Sequence, residues 1–183
     1  LESVKQLYKT AVKSTLLKEH YRCDPHIIKF CNKRFYDNQL LVRTKHDDKN
    51  GVEIIPTKAH SELDRANERQ VCVIKEEVIP NLVFNDIGII APYNNQVNLI
   101  KRHLKDKGIK VETIHKFQGQ ENDVIILSTV SDRVKFSDND EFIDFLNDPK
   151  LLNVAISREK KKLIMIISEE LMQQNGAILS DFS

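Results

Sequence analysis

The chain has 183 residues, 40% apolar and 30% charged, the balance of a globular domain with its own core and not of a disordered segment. Lys and Arg number 28 against 27 Asp and Glu, a net charge of +1, so no overall basic field exists and any nucleic-acid contact has to come from a local patch. No apolar run is long enough to span a bilayer and no secretory leader is visible; Cys23, Cys31 and Cys72 lack C-x-x-C spacing, which argues against structural zinc or a disulfide framework and suits a reducing, intracellular (cytoplasmic) setting.

Residues 1–17 carry a loose helical pattern, with Val4, Leu7, Tyr8 and Val12 at three- and four-residue spacings. The chain opens on Leu1 rather than Met, which reads as a piece of a longer protein. Residues 15–21 form a short predicted strand leading to Arg22. Asp24-Pro25 is a helix start, with Asp as N-cap and Pro at the first helical position. Ile27, Cys31 and Phe35 then share one face of a helix ending near Tyr36. Residues 37–51 are polar and predict a surface loop. Residues 51–55 read as a strand ended by Pro56. A helix is expected over 64–79, with Val71, Ile74 and Val78 on one face and Pro80 closing it. Ile87-Gly88-Ile89-Ile90-Ala91 is a buried strand stopped by Pro92. The helix predicted over 94–107 turns Val97, Ile100 and Leu104 inward and Lys101, Arg102, Lys105 and Lys107 outward; Gly108 is placed to cap it.

Residues 111–130, VETIHKFQGQENDVIILSTV, organise the rest. A strand over Val111 to Ile114 runs into a polar loop, residues 115–121. Val124-Ile125-Ile126-Leu127 follows as an uninterrupted apolar run, the mark of a strand buried on both faces of a parallel sheet. The loop is dense in hydrogen-bonding groups and lies at a sheet edge, where open α/β sheets bind ligands. Residues 131–141 are acidic and aperiodic, a mobile loop or insertion. Phe142, Phe145 and Leu146 precede Asp148-Pro149. A helix over 150–159 carries Arg158, Leu163 to Ile167 is the last buried strand, and 169–174 a short final helix. Strands alternating with helices give a βαβ plan and a mostly parallel sheet.

Four segments, in order, resemble the superfamily 1 nucleic-acid helicases, most closely the Upf-type group. Thr113-x-His115-x-x-Gln118-Gly119-x-Glu121 is similar to their motif V. Glu19-His20-Tyr21-Arg22-Cys23-Asp24-Pro25 resembles the Tyr-Arg segment that opens the second RecA-like lobe. Leu152-Asn153-Val154-Ala155-Ile156-Ser157-Arg158 resembles motif VI, and Ala91-Pro92-Tyr93-x-x-Gln96 a further family segment. The segments reach from Glu19 to Ile167, nearly the whole chain. The resemblance implies a three-layer α/β RecA-like domain over 15–183, with 1–14 as a linker or leading helix from upstream.

It also implies roles. Arg22 and Arg158 match the paired arginine fingers that stabilise a transferring γ-phosphate, where a planar fork serves better than the point charge of lysine. Without the surrounding motifs they would read as ordinary surface arginines. Tyr21 is similar to an aromatic that packs on the adenine ring; its other reading is a core tyrosine on a strand. Glu121 resembles the glutamate that hydrogen-bonds the ribose. Gly119 allows backbone close to a ligand, and is equally a turn glycine. Thr113 and His115 match positions that grip the backbone of single-stranded DNA or RNA, with Tyr93 and Gln96 lining the channel. The lysine-rich outer face of the 94–107 helix reads as solvated.

No G-x-x-x-x-G-K-[ST] loop is present, and no acidic pair of the D-E-x-x type stands where it would hold magnesium. The implied whole is therefore an ATP-dependent helicase or translocase whose first RecA-like lobe supplies the phosphate loop and Mg2+ ligands, with this chain as the second lobe, inactive alone. Two positions depart from the family pattern. Glu159 stands where alanine follows the motif VI arginine, and could pair with Arg22, Arg158 or Lys160. Asp24 replaces a common histidine and is expected only to cap a helix. Two alternatives stay open: a non-hydrolysing nucleic-acid-binding or regulatory module that keeps the fold, favoured by Glu159, and a lobe that positions DNA for an adjoining nuclease.

Overall fold

The computed structural model describes residues 18–44, 51–58, 65–105, 107–117, 119–130 and 149–174. The helical pattern at 1–17, the acidic stretch 131–141 and the apolar cluster at 142–146 lie outside the described residues.

Five strands form one parallel sheet in the order β3 (Val52–Thr57), β7 (Glu159–Ser168), β6 (Asn122–Ser128), β4 (Ile87–Ala91), β5 (Lys110–Thr113). Alternation explains the layers. On β6, Ile125 and Leu127 face one core, and Val124 and Ile126 the other; on β7, Leu163, Met165 and Ile167 oppose Ile164 and Ile166. Both faces of the central strands are thus apolar, and helices must cover both. α1 (Pro25–Phe35), α4 (Pro149–Ile156) and α5 (Glu169–Gln174) pack on the first face. α2 (Glu68–Val73) and α3 (Asn94–His103) pack on the second.

Local chemistry sets the element ends. Asp24 accepts from the His26 N–H at 2.8 Å, the expected cap, and Pro25 occupies the first turn. Gly108 has φ +64, a left-handed conformation that favours glycine, but it lies in the loop before β5 and does not cap α3, whose C-cap is Leu104. Phe117 is fully buried and its ring covers Gly88: a Cβ built there would stand 2.5 Å from Phe117 Cζ. The loop leaving β5 is therefore bolted to the sheet face midway.

Several boundaries differ from the sequence reading. Pro56 does not end β3; it continues to Thr57, because β3 is an edge strand whose outer N–H groups need no partner. Within the expected 37–51 loop, Leu41–Val42 form a strand, β2, pairing in parallel with β1 (Glu19–His20). The helix expected over 64–79 starts at Glu68 with Asn67 as N-cap. It then widens into a π stretch, Ile74–Val78, just before Pro80, whose ring crowds the carbonyl four residues back. α3 stops at His103, and α4 at Ile156. Arg158 consequently sits beyond its helix, in the turn into β7, which begins at Glu159 rather than Leu163.

Candidate functional site

At the amino ends of β6 and β7 lies a cleft of about 520 Å³ lined by Glu19, His20, Tyr21, Arg22, Glu121 and Lys160. Its shape follows from how β1 is anchored. The Cys23 N–H donates to His20 Nε2 at 2.9 Å and Cys23 is buried, so Tyr21 and Arg22 project between two fixed points. Tyr21 is 66% exposed, which sets aside the core-tyrosine alternative, and its hydroxyl donates to Glu19. Arg43 also reaches Glu19, at 3.0 Å, and with the Tyr21 hydroxyl holds that carboxyl below its usual range. Burial, helped by the Arg22 charge, lowers the pKa of His20, which suits its role as acceptor for Cys23. Arg22 Nη2 meets Glu121 Oε1 at 2.6 Å, with 39% and 34% of the two side chains exposed.

Thus Tyr21, Arg22 and Glu121, distant in sequence, come together. Arg158 and Gly119 do not line this cleft. Arg158 Nε donates to the Val154 carbonyl at 3.1 Å, tying the guanidinium back to α4. Its carbonyl accepts from the Asn122 N–H at 3.2 Å, which places it one residue from Glu121 along β6. Gly119 has φ +79, and a Cβ added there would meet nothing within 4 Å. Its positive φ favours glycine in the turn, and the space beside it is open.

The expected pairing of Glu159 is not found. Its carboxyl is fully buried and pairs with no cation among the described residues; Arg22 is held by Glu121, and Arg158 by Val154. Burial drives the Glu159 pKa well above the ordinary carboxylate range, opposed by its own backbone N–H and the Cys23 thiol, with smaller contributions from Asp24, which adds to the rise, and Arg22, which opposes it. Burial likewise raises the thiols of Cys23 and Cys31 beside it, which makes them unreactive. The linkage has a definite sign. The folded state holds the Glu159 proton more tightly than the unfolded chain, so stability present at low pH is lost as pH rises above the ordinary carboxylate range. Glu159→Gln should therefore melt higher than wild type at pH 7, by a margin that shrinks toward about pH 4. The wild-type slope attributable to this group is about 1.4 kcal/mol per pH unit while the folded form keeps its proton. Thermal unfolding at several pH values measures it; an unchanged gap across that range would contradict the buried, protonated state.

The remaining nominated residues lie at the opposite, carboxyl ends of the strands. Thr113 ends β5 next to Ala91 of β4, and His115 is exposed in the turn that follows. Tyr93 is buried, with the Arg65 guanidinium 5.6 Å over its ring. Gln96 requires a correction. It is fully buried, its Oε1 accepting from the Asn67 N–H at 2.7 Å and its Nε2 donating to Ser128 Oγ at 3.0 Å. A side chain so enclosed does not line an open surface; it ties α3 to β6 and to the turn before α2. The same network was not read from the sequence. Ser128 Oγ donates to Gln70 Oε1 at 2.7 Å, which also accepts from the Val130 N–H at 3.0 Å, while Asn67 Nδ2 donates to the Val130 carbonyl at 3.0 Å. These bonds hold Val130 at φ +68, costly for a β-branched residue. The signal available was a set of amides and hydroxyls inside otherwise apolar elements.

Among the described residues no helix is long and apolar enough to cross a membrane, and no group of three metal-ligating side chains converges. Residues 57–170 match the AAA domain family. DNA polymerase alpha-associated DNA helicase A of Saccharomyces cerevisiae is 36% identical over 118 residues, covering 60% of this chain and 16% of that protein. An uncharacterised ATP-dependent helicase of Methanocaldococcus jannaschii is 32% identical over 191 residues, covering 88% of this chain and 28% of that protein. The chain thus spans under a third of either relative. In fold it is similar to the C-terminal domain of a possible DNA helicase from Lactobacillus plantarum, with TM-score 0.54 and 17% identity over 86% of this chain and 96% of that one.

Proposed function

The chain belongs to the AAA domain family as a RecA-like helicase lobe, and from that premise we propose that it is the second motor lobe of an ATP-dependent superfamily 1 helicase or translocase. One observation carries the reading: Tyr21, Arg22 and Glu121 share a cleft at the amino ends of the strands, while Thr113 and His115 stand at the carboxyl ends. A motor needs both a nucleotide site and a separate grip on the strand.

The cleft volume lies within the roughly 300–1,000 Å³ of small-ligand sites. In this reading Tyr21 offers its exposed ring to adenine. Glu121 turns from Arg22 to the ribose hydroxyls, and Arg22 is freed for the triphosphate. The Arg22–Glu121 pair is part-exposed and worth about 0–1 kcal/mol, so an incoming polyanion can displace it. Arg158 releases Val154 and meets the γ-phosphate from the other side. Gly119 lets the loop turn back toward Glu121. Thr113 and His115 contact the phosphates of single-stranded DNA or RNA, over the wall formed by Tyr93 and Gln96. The first RecA-like lobe of the same polypeptide brings the phosphate loop and the Mg2+ ligands. Mg2+ with ATP supplies charge compensation for phosphoryl transfer.

The expected result for the isolated chain is no steady phosphate release from ATP and Mg2+, because those groups are absent from it. It should bind labelled homopolymers weakly, with a shallow salt slope and little sequence preference, since a lobe of charge +1 neutralises few phosphates. Joined to a first lobe, it should hydrolyse ATP and respond to single strands. Turnover by the chain alone, lost in Arg158→Ala, would sink the half-site idea. The second reading is a non-hydrolysing binding module. The held-back Arg158 and the buried Glu159 favour it, and a joined polypeptide that binds strands without turnover would select it.

A further inference from the structure

We propose that Lys160 is a phosphate-binding residue of the cleft, a further cation that meets the polyphosphate of a bound nucleoside triphosphate. The inference rests on the nucleotide reading above and adds a residue to it. Three consecutive lysines follow Glu159 at the start of β7, and two are committed. Lys161 Nζ pairs with Asp123 Oδ2 at 2.7 Å, and Lys162 Nζ with Glu53 Oε2 at 2.6 Å. Lys160 alone of the three makes no ion pair among the described residues, and it alone lines the cleft.

Its direction has a backbone cause. Asn122 of β6 stands opposite Glu159 of β7, yet Val124 stands opposite Lys162. Three steps on β7 thus match two on β6, and the extra residue makes a bulge. A regular strand sends successive side chains to opposite faces. Here Glu159 points into the core, and the bulge leaves both Lys160 and Lys161 exposed. Bulges of this kind re-aim side chains beside binding sites.

The cleft then holds a set suited to a polyanion. Arg22 and Lys160 supply two cations; Glu121 partly offsets Arg22, and the other carboxylate, Glu19, is already held by Arg43 and the Tyr21 hydroxyl. Once Glu121 turns to the ribose, Arg22 and Lys160 are the two cations of the cleft left for the phosphates. A lysine brings a mobile ammonium that can follow the phosphate chain, complementing the fixed fork of Arg22.

The test uses the polypeptide that joins this chain to a first lobe. A labelled, non-hydrolysable ATP analogue is titrated into wild type, Lys160→Gln and Lys160→Arg, with adenosine as a competitor. Lys160→Gln should weaken analogue binding about tenfold, the size of one lost charge-assisted bond. Lys160→Arg should recover most of it, and adenosine affinity should stay unchanged. The side chain is exposed, so thermal unfolding should match wild type. Analogue affinity within twofold of wild type in Lys160→Gln, with Arg22→Ala still impaired, overturns the Lys160 assignment alone. No effect from either variant overturns the cleft itself as the nucleotide site. A loss of single-strand affinity with nucleotide affinity intact would give Lys160 to nucleic acid, and would also overturn the proposal.

Discussion

Arg158→Ala in the joined two-lobe protein is expected to lower ATP turnover by roughly 10³–10⁵, the range of arginine fingers, which is about 4–7 kcal/mol of barrier. Arg22→Ala should act alike. The fold should survive both changes. Arg22 is more than a third exposed, and among the described residues the side chain of Arg158 bonds only to its own helix end. Losing that bond costs roughly 1–3 kcal/mol in stability, less than the whole of a domain's stability. Lysine at either position should rescue little, because a point charge does not reproduce the planar fork. The double variant should cost less than the sum, since both groups would act on one transition state. A phosphate-release assay with saturating single strand measures all three. Turnover within a few-fold of wild type in Arg158→Ala would remove the motif VI assignment and move the binding module ahead.

Phe117→Ala should cost about 3–5 kcal/mol of stability, the range for emptying a buried aromatic site. Phe117 is fully buried in the first core, and the end of its ring lies over Gly88. Domains of this size have only about 5–15 kcal/mol in total, so the variant should unfold early in denaturant. Gly88→Ala, which drives a methyl into the same ring, should cost roughly 1–3 kcal/mol by overpacking. The two changes touch one contact and should not add: Gly88→Ala should be milder in the Phe117→Ala background. Nucleotide affinity should fall as well, because the loop from Phe117 to Asn122 carries Gly119 and Glu121. Urea titrations of the four proteins decide this. A Phe117→Ala cost below 1 kcal/mol would mean that the loop is not anchored as described.

The two expectations differ in where they come from. Arg158 and Arg22 stood out in the sequence through the motifs around them. Phe117 stood in the quoted motif with no role, and only the packing against Gly88 gave it one. That contact links residues 29 apart on neighbouring parts of one sheet face, and no local pattern reports it.

By itself the sequence determined the layered architecture. Ile87 to Ala91 and Val124 to Leu127 are apolar at every position except Gly88, which requires burial on both faces and so a parallel sheet between two layers of helices. It also determined the boundaries governed by one or two residues, Asp24-Pro25 and Pro92, whereas Gly108 is no cap because α3 ends earlier, at His103. Pro56 was misread because the proline rule depends on whether a strand is at the edge, and strand order is a property of the whole sheet. The polar groups were the least legible. Gln96, nominated for a channel, is fixed inside by Asn67 and Ser128, residues 29 and 32 positions away. Glu159, nominated as an ion-pair partner, is buried without one. Arg22 found Glu121 across about a hundred residues instead. Apolar side chains announce burial through their spacing, because burial follows the local period of helix or strand. A polar side chain gains or loses several kcal/mol according to which group it meets, and that partner is chosen only when distant elements come together.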